Sequence, residues 1–252
     1  MFENIVLKFG FLLFIFSLCG NCFATVNNSL ILWQEYISLR DCVYNNISNV
    51  SNLLEMYNKA VKVAYDIFSD DKLLIALSRC EFIMGRAYLF ENDKQNAAKH
   101  FISGAEYAQK SLEIKDSGMG ILMYAENISQ NCLLQPMTYV IKYGSKIKGL
   151  AKEALQKEPS SGAALFLMNA QLIYAPAPFS NYKKGIKELE KILTLENIWL
   201  EKDDLFNIFS TLGLGYLELK DKENALAYFN YALEVYPGNI HIRKIVEENF
   251  SI

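Results

Sequence analysis

Residues 206–239 read FNIFSTLGLGYLELKDKENALAYFNYALEVYPGN, and this stretch decides the fold. Apolar and small residues recur at helical spacing on both sides of Asp221, which predicts two helices. Asp221 is suited to cap the second helix, and Pro237 ends it. Gly213 and Ala225 are small, so we expect the two helices to cross closely at these positions. The stretch therefore predicts a tight hairpin of two antiparallel helices.

This hairpin resembles a tetratricopeptide repeat (TPR), a unit of 34 residues with the pattern W-x2-L-G-x2-Y, then A-x3-F, then P. The pattern places, with Phe in place of Trp, are Phe209, Leu212, Gly213, Tyr216, Ala225, Phe229, Ala232 and Pro237. A second copy at 78–111 keeps the offsets of four of these places in Gly85, Tyr88, Ala97 and Phe101. Gln109 replaces its proline, so we expect its second helix to run on to about Lys115.

The rest of the chain also reads at helical period. Degenerate hairpins are predicted at 117–158 and 160–195, with leading helices near 29–41 and 49–68 and a capping helix at 239–250. A hairpin of this kind cannot bury its apolar face alone, so several units are expected to stack. The resemblance implies an all-α fold, namely a right-handed TPR-like superhelical stack of antiparallel hairpins that forms a single domain over residues 25–252.

Residues 1–24 have the pattern of a secretory signal peptide. Lys8 precedes an apolar run at 9–18, and small residues at Cys22 and Ala24 favour cleavage after Ala24. The run is short for a membrane span, which needs roughly 20 apolar residues. An uncut anchor and a lipid-modified cysteine at position 19 or 22 are the alternatives. The sequence predicts an exported protein of the periplasm or cell envelope and leaves the fate of the signal open.

Composition restricts the kind of protein. The 252 residues are 52% apolar and 21% charged, which indicates a folded globular chain, and the net charge of -3 offers nucleic acid no basic face. After the signal, Cys42, Cys80 and Cys132 leave two possibilities open, one disulfide with a free thiol or three unpaired cysteines. His100 and His241 are the only histidines and lie far apart, so no metal or other cofactor is predicted.

No catalytic motif is present in the sequence. It has no GxSxG, no P-loop and no GxGxxG after a strand, and the GLG at 213–215 lies inside a predicted helix. We interpret Lys183-Lys184 and Asp203-Asp204 as solvated helix ends, the two acids being suited to a helix start. The chain is therefore predicted not to be an enzyme.

In TPR proteins the first helix of each hairpin lines a concave groove. The resemblance implies that the groove positions here are Arg79, Phe82, Arg86, Phe90, Phe166, Tyr174, Asn207 and Ser210. The proline-containing loop at 175–182 is a second candidate site, with the aromatic residues Phe179 and Tyr182. The alternative is that these aromatic side chains pack against neighbouring helices, the N-terminal helix or the edge of the core.

The predicted function is a binding or scaffold role, a protein–protein interaction through the concave groove. Aromatic contacts would supply affinity, and Arg79 and Arg86 would orient a protein or peptide partner of the cell envelope. The alternative is an accessory component of a TRAP-type transport system that binds a small apolar ligand. Nucleic acid is not an expected partner, and membrane association is expected only through an uncleaved or lipidated N-terminus.

Overall fold

The computed structural model describes residues 30, 33–46, 49–175 and 177–250. The chain divides into two compact units, Met1–Trp33 and Gln34–Ile252. The predicted signal peptide at 1–24 lies outside the described residues, and the fold described below is that of the second unit. Of the helices that the structure describes, none has the length and apolar character needed to cross a membrane.

Within its described part, the second unit consists of eleven α-helices joined by short connections. They are α1 Gln34–Tyr44, α2 Val50–Ile67, α3 Asp70–Phe90, α4 Lys94–Ile114, α5 Gly118–Cys132, α6 Met137–Lys157, α7 Gly162–Tyr174, α8 Tyr182–Ile192, α9 Lys202–Glu218, α10 Lys222–Val235 and α11 Ile240–Phe250. Over the described ranges there is no β-strand, only an isolated parallel bridge between Ser161 and Trp199. The predicted all-α class is confirmed.

Local sequence signals set the helix ends. Side chains of Asn, Asp and Ser accept a hydrogen bond from the first turn and so cap seven helices; they are Asn49, Asp93, Ser117, Ser161, Asn181, Asp221 and Asn239. Helix α4 runs to Ile114, which agrees with the extension expected where Gln109 replaces the repeat's proline. Helix α3 begins at Asp70, before the predicted repeat start at residue 78.

Helices pair into successive hairpins, α3 with α4, α5 with α6, α7 with α8, and α9 with α10, and each hairpin packs on the next. The first helices α3, α5, α7 and α9 also contact one another in turn, and we call them the inner row. Helix α1 packs against both α3 and α9, while α11 packs on α10. This sequential stack of helical hairpins is TPR-like, as the resemblance implied.

The two clearest repeats have the same close helix crossing. A Cβ atom on Gly213 would lie 2.6 Å from the ring of Phe229, and one on Gly85 would lie 2.5 Å from the ring of Phe101. Both rings are completely buried. A side chain at either glycine would displace a ring that fills the interior of its hairpin. The close crossing predicted from the small residues is confirmed.

Candidate binding site on the inner row of helices

Helix α1 covers part of the inner row with aromatic side chains. The buried ring of Tyr44 stacks on that of Tyr236 at 5.0 Å and meets the rings of Phe206 and Phe90 edge-on at 5.3 and 6.2 Å. The side-chain amide of Asn239 donates to the Tyr44 carbonyl at 2.7 Å. The C-terminal end of α1 is therefore held by α3, by α9 and by the segment after α10.

A buried charge network holds the middle of α1. Arg40 of α1 donates to Glu201 at 2.6 Å and lies 3.2 Å from Asp203. Arg79 of α3 donates to the other carboxylate oxygen of Glu201, and its guanidinium carbon lies 4.3 Å from the centre of the Tyr36 ring. Arg40 and Arg79 are only 5% and 3% exposed. Buried arginines need such partners because removing a charge from water is costly.

The acids of this network begin α9, where the positive end of the helix dipole favours negative charge. Glu201 is the N-cap residue, and its backbone N–H donates to Asp204 at 2.8 Å. Asp203 and Asp204 are both buried, and removal from water raises the pKa of Asp203 to about 6. The interpretation of Asp203 and Asp204 as solvated is thus wrong, although they do start a helix. Lys183 and Lys184 are exposed, as expected.

Three of the predicted groove residues are buried and occupied by internal contacts. Arg79 pairs with Glu201, as described above. Phe82 is 8% exposed and its ring lies 5.9 Å from that of Phe101. The Ser210 hydroxyl is buried and donates to the carbonyl oxygen of Phe206 at 2.7 Å. In this structure the three side chains offer almost no surface to a partner.

The third hairpin places its predicted residues in different surroundings. Phe166 and Tyr182 are partly buried against an apolar cluster made of Ile173, Ile186, Leu189, Ile192, Ile208 and Leu212. Phe179 is 76% exposed in the loop, whereas Tyr182 is the first residue of α8. The structure therefore does not bring the two loop aromatics together.

The other four predicted residues form a connected set. Arg86 donates to Gln130 at 3.2 Å, and its guanidinium carbon lies 5.4 Å from the ring centres of Tyr44 and Phe90. The Asn207 side chain donates to the Tyr44 hydroxyl at 3.4 Å. The hydroxyl groups of Tyr174 and Thr211 are 2.9 Å apart and share a hydrogen bond, while 55% of Tyr174 stays exposed.

We define the open polar patch as the inner-row residues Arg86, Glu126, Gln171, Tyr174 and Asn207. All five keep some exposure to solvent. Two donors in the patch, Arg86 Nε and Gln171 Nε2, are buried and have no acceptor among the described residues. Buried donors are nearly always satisfied in folded proteins, so these two point to a missing acceptor.

Electrostatics link the members of the patch. Removal from water raises the pKa of Glu126 to about 8; Asp203 and Glu201 raise it further, while Arg79 and Arg86 lower it. Removal from water raises the pKa of Tyr174 and lowers the pKa of His241, and in both cases the charge of Arg86 acts to lower the pKa. The patch therefore carries one fixed positive charge together with a carboxyl group that is mostly protonated, and so uncharged, at neutral pH.

Sequence reasoning did not single out Glu126 or Gln171. Glu126 lies in a hairpin that keeps almost none of the repeat pattern, so no family position pointed to it. Its one signal is that it is the only charged residue between Gly118 and Cys132. An isolated acid in an apolar helix is a candidate for a functional position.

The described cysteines and acids form no further site. Cys42, Cys80 and Cys132 are all unpaired, which selects the second of the two possibilities left open by the sequence. Among the described residues, no three His, Cys, Asp or Glu side chains are grouped as metal ligands would be.

No protein-family model matches this chain, and no curated protein matches it. A crystal structure of a thermophilic TPR protein from Thermus thermophilus is similar, with 16% sequence identity and a TM-score of 0.48. The similarity covers 78% of this chain and 100% of the other. The fold assignment itself comes from the helix packing and the glycine contacts described above. They define an all-α protein with a TPR-like fold.

Proposed function

We propose that this chain is a non-catalytic scaffold that binds a short segment of a partner protein at the open polar patch. The observation that carries the proposal is the pair of buried, unsatisfied donors, Arg86 Nε and Gln171 Nε2, beside the exposed ring of Tyr174. An extended peptide supplies carbonyl oxygens to such donors at regular spacing, and a tyrosine ring supplies apolar contact area.

The patch favours a peptide over a small apolar ligand. Four of its five side chains end in an amide, a carboxyl or a guanidinium group, whereas pockets for apolar ligands are lined mainly by hydrophobic and aromatic residues. The aromatic positions that such a ligand would need, Phe82 and Phe90, already contact other rings of this chain. We therefore favour the scaffold over the accessory role in a transport system.

The role of Arg79 in the proposal differs from the sequence-based expectation. Its guanidinium is committed to Glu201 and Tyr36, so it orients α1 and not the partner. Arg79 Nε also lacks an acceptor within the described part of the chain, but Arg79 is only 3% exposed. Arg86 keeps both an unsatisfied donor and some exposure to solvent, so it remains the candidate for orienting a partner's carbonyl or carboxylate group.

The test is capture of a partner by the full chain from an extract of its own cells, with identification by mass spectrometry. Gln171→Ala with Tyr174→Ala should reduce the captured partner at least tenfold, because two partner contacts are removed. The matched control is Tyr65→Ala with Gln109→Ala on the helices α2 and α4; Tyr65 is 59% exposed, close to the 55% of Tyr174. Equal capture by both double variants would show that the patch is not the binding site.

Export to the periplasm or cell envelope is part of the same proposal. It is supported by the pattern of residues 1–24 and tested by the mass of the N-terminal peptide of the protein recovered from its cells. A first residue at position 25 is expected. A lipid-modified cysteine at the N-terminus would indicate lipid anchoring in place of cleavage after Ala24. An unprocessed Met1 in soluble protein would contradict export.

A further inference from the structure

The hairpin of α5 and α6 ends in an exposed apolar crest, which we define as Leu133, Met137 and Ile141. Their exposed fractions are 71%, 68% and 70%. Met137 and Ile141 are one helical turn apart on α6, so they lie on one face, and Leu133 belongs to the turn just before. Single exposed apolar residues are common, but neighbours grouped in this way mark a contact surface.

The first half of α6 is not buried against the rest of the stack. In α6 the first buried residue is Ile147, ten residues after the start of the helix. Tyr139 and Tyr143 lie beside each other with ring centres 4.4 Å apart and are only half-buried. The segment from the crest to Tyr143 is thus an amphipathic helix end with much of its apolar surface in solvent.

Positive charge follows the crest along α6. Lys142, Lys146, Lys148 and Lys152 are all exposed, and no acidic residue occurs between residues 127 and 152. The ammonium groups of Lys142 and Lys146 lie 4.9 and 5.8 Å from the centre of the Tyr143 ring. The whole chain has a net charge of -3, so this tip is a local reversal of its charge.

We propose that the tip of the α5–α6 hairpin binds the surface of an anionic lipid bilayer. The crest would enter the boundary between headgroups and acyl chains, with Lys142 and Lys146 at the level of the lipid phosphates. This contact is separate from any anchoring by the N-terminus and from the open polar patch.

A bilayer fits the tip better than an acidic protein does. Side chains that are about 70% exposed project from the surface and offer a protein partner no concave pocket for its own side chains. A fluid bilayer adapts to such a projection, and its phosphates are matched by lysines without fixed geometry. A single anionic bilayer would then contact both the lysines of the tip and its apolar crest.

The experiment is co-sedimentation of the full chain with vesicles of phosphatidylcholine alone and of phosphatidylcholine with phosphatidylglycerol, at low salt. Binding to the anionic vesicles should be at least tenfold tighter. Lys142→Gln with Lys146→Gln should weaken it roughly 30-fold, from about fivefold per lysine. The matched control is Lys183→Gln with Lys184→Gln, which removes the same charge from exposed positions of α8 and should leave binding unchanged.

A second variant separates the crest from the lysines. Met137→Ser with Ile141→Ser should weaken binding at both low and high salt, because apolar insertion is not screened by ions. Circular dichroism and thermal melting should be unchanged in all variants, since every substituted side chain is exposed. The residues 1–24 are common to all of them, so differences between variants report the tip alone.

Three results would overturn the proposal. They are equal binding to neutral and anionic vesicles, equal loss in the two lysine pairs, and binding to soluble polyglutamate without binding to anionic vesicles. The last result would assign the tip to an acidic protein partner. Because all three are independent of partner capture at the open polar patch, failure here leaves the scaffold proposal to its own test.

Discussion

Glu201 connects the helices α1, α3 and α9, so removing its charge is the most informative test of how the fold is stabilised. Its carboxylate accepts from Arg40 of α1 at 2.6 Å and also from Arg79 of α3, while Glu201 itself caps α9. Glu201→Gln keeps the volume and an acceptor oxygen but removes the negative charge. We expect this single substitution to destabilise the fold strongly.

The expected loss of stability depends on which partners each arginine keeps after the substitution. Arg40 retains Asp203 at 3.2 Å and Asp41 at 3.0 Å, so it stays compensated. Arg79 is 3% exposed and has no other ion-pair partner among the described residues. Leaving one buried charge unpaired costs about 3–5 kcal/mol, and we expect the lower end, about 3 kcal/mol, since Asp203 is still near.

The assay is urea denaturation followed by circular dichroism, with thermal melting as a second readout. A loss of about 3 kcal/mol corresponds to a fall in melting temperature of roughly 6–12 °C for a chain of this length. Asp116→Asn is the matched control, because it removes a carboxylate that is 69% exposed and lies 2.5 Å from the ammonium group of Lys157. This substitution should lower the free energy of unfolding by only about 0–1 kcal/mol. Equal effects of the two substitutions would refute the reasoning from burial.

Two further predictions concern packing and pH. Gly213→Ala should destabilise the fold by about 1–3 kcal/mol, because its Cβ would lie 2.6 Å from the Phe229 ring. Gly149→Ala should instead stabilise the fold by about 0.5–1 kcal/mol, because nothing lies within 4 Å of its Cβ. Urea midpoints that shift in the same direction for both variants would contradict this. The pKa of Glu126 is about 8 in the fold against an ordinary 4.5, so the fold binds more protons than the unfolded chain between these pH values. The free energy of unfolding should therefore fall as pH rises through that range. Glu126→Gln should remove this part of the decline, and parallel pH profiles for the variant and the wild type would argue against it.

Much of the fold was predictable because its determinants are local. The repeat at 206–239 carries its capping residue, its small residues at the helix crossing and its terminating proline within 34 positions. The close approach of the helices at Gly213 followed from its small size, and the matching offsets of Gly85 and Phe101 indicate the same crossing in the earlier repeat. The third hairpin was harder, since Phe166 turns to the core and α8 begins at Tyr182.

The candidate site was only partly predictable because its partners are far apart in the chain. Arg40 and Glu201 are separated by 161 positions, and neither belongs to the repeat pattern. Asp203 looked like an ordinary solvated helix start, and only the placement of α1 on α9 explains its burial. By contrast, Arg86, Tyr174 and Asn207 could be proposed from the sequence, because the repeat register identifies the residues of each first helix.

The placement of α1 has a consequence for how the protein is made. Helix α1 leaves the ribosome early, but Glu201 and Asn239, which hold its Arg40 and Tyr44, follow 161 and 195 residues later. Until they appear, Arg40 has only the adjacent Asp41 as a counter-charge, and Tyr44 lacks the rings of Phe206 and Tyr236. The hairpins can form one after another as they emerge. The seating of α1 has to wait for the hairpin of α9 and α10, so the emergence of that hairpin is the event that completes the inner row.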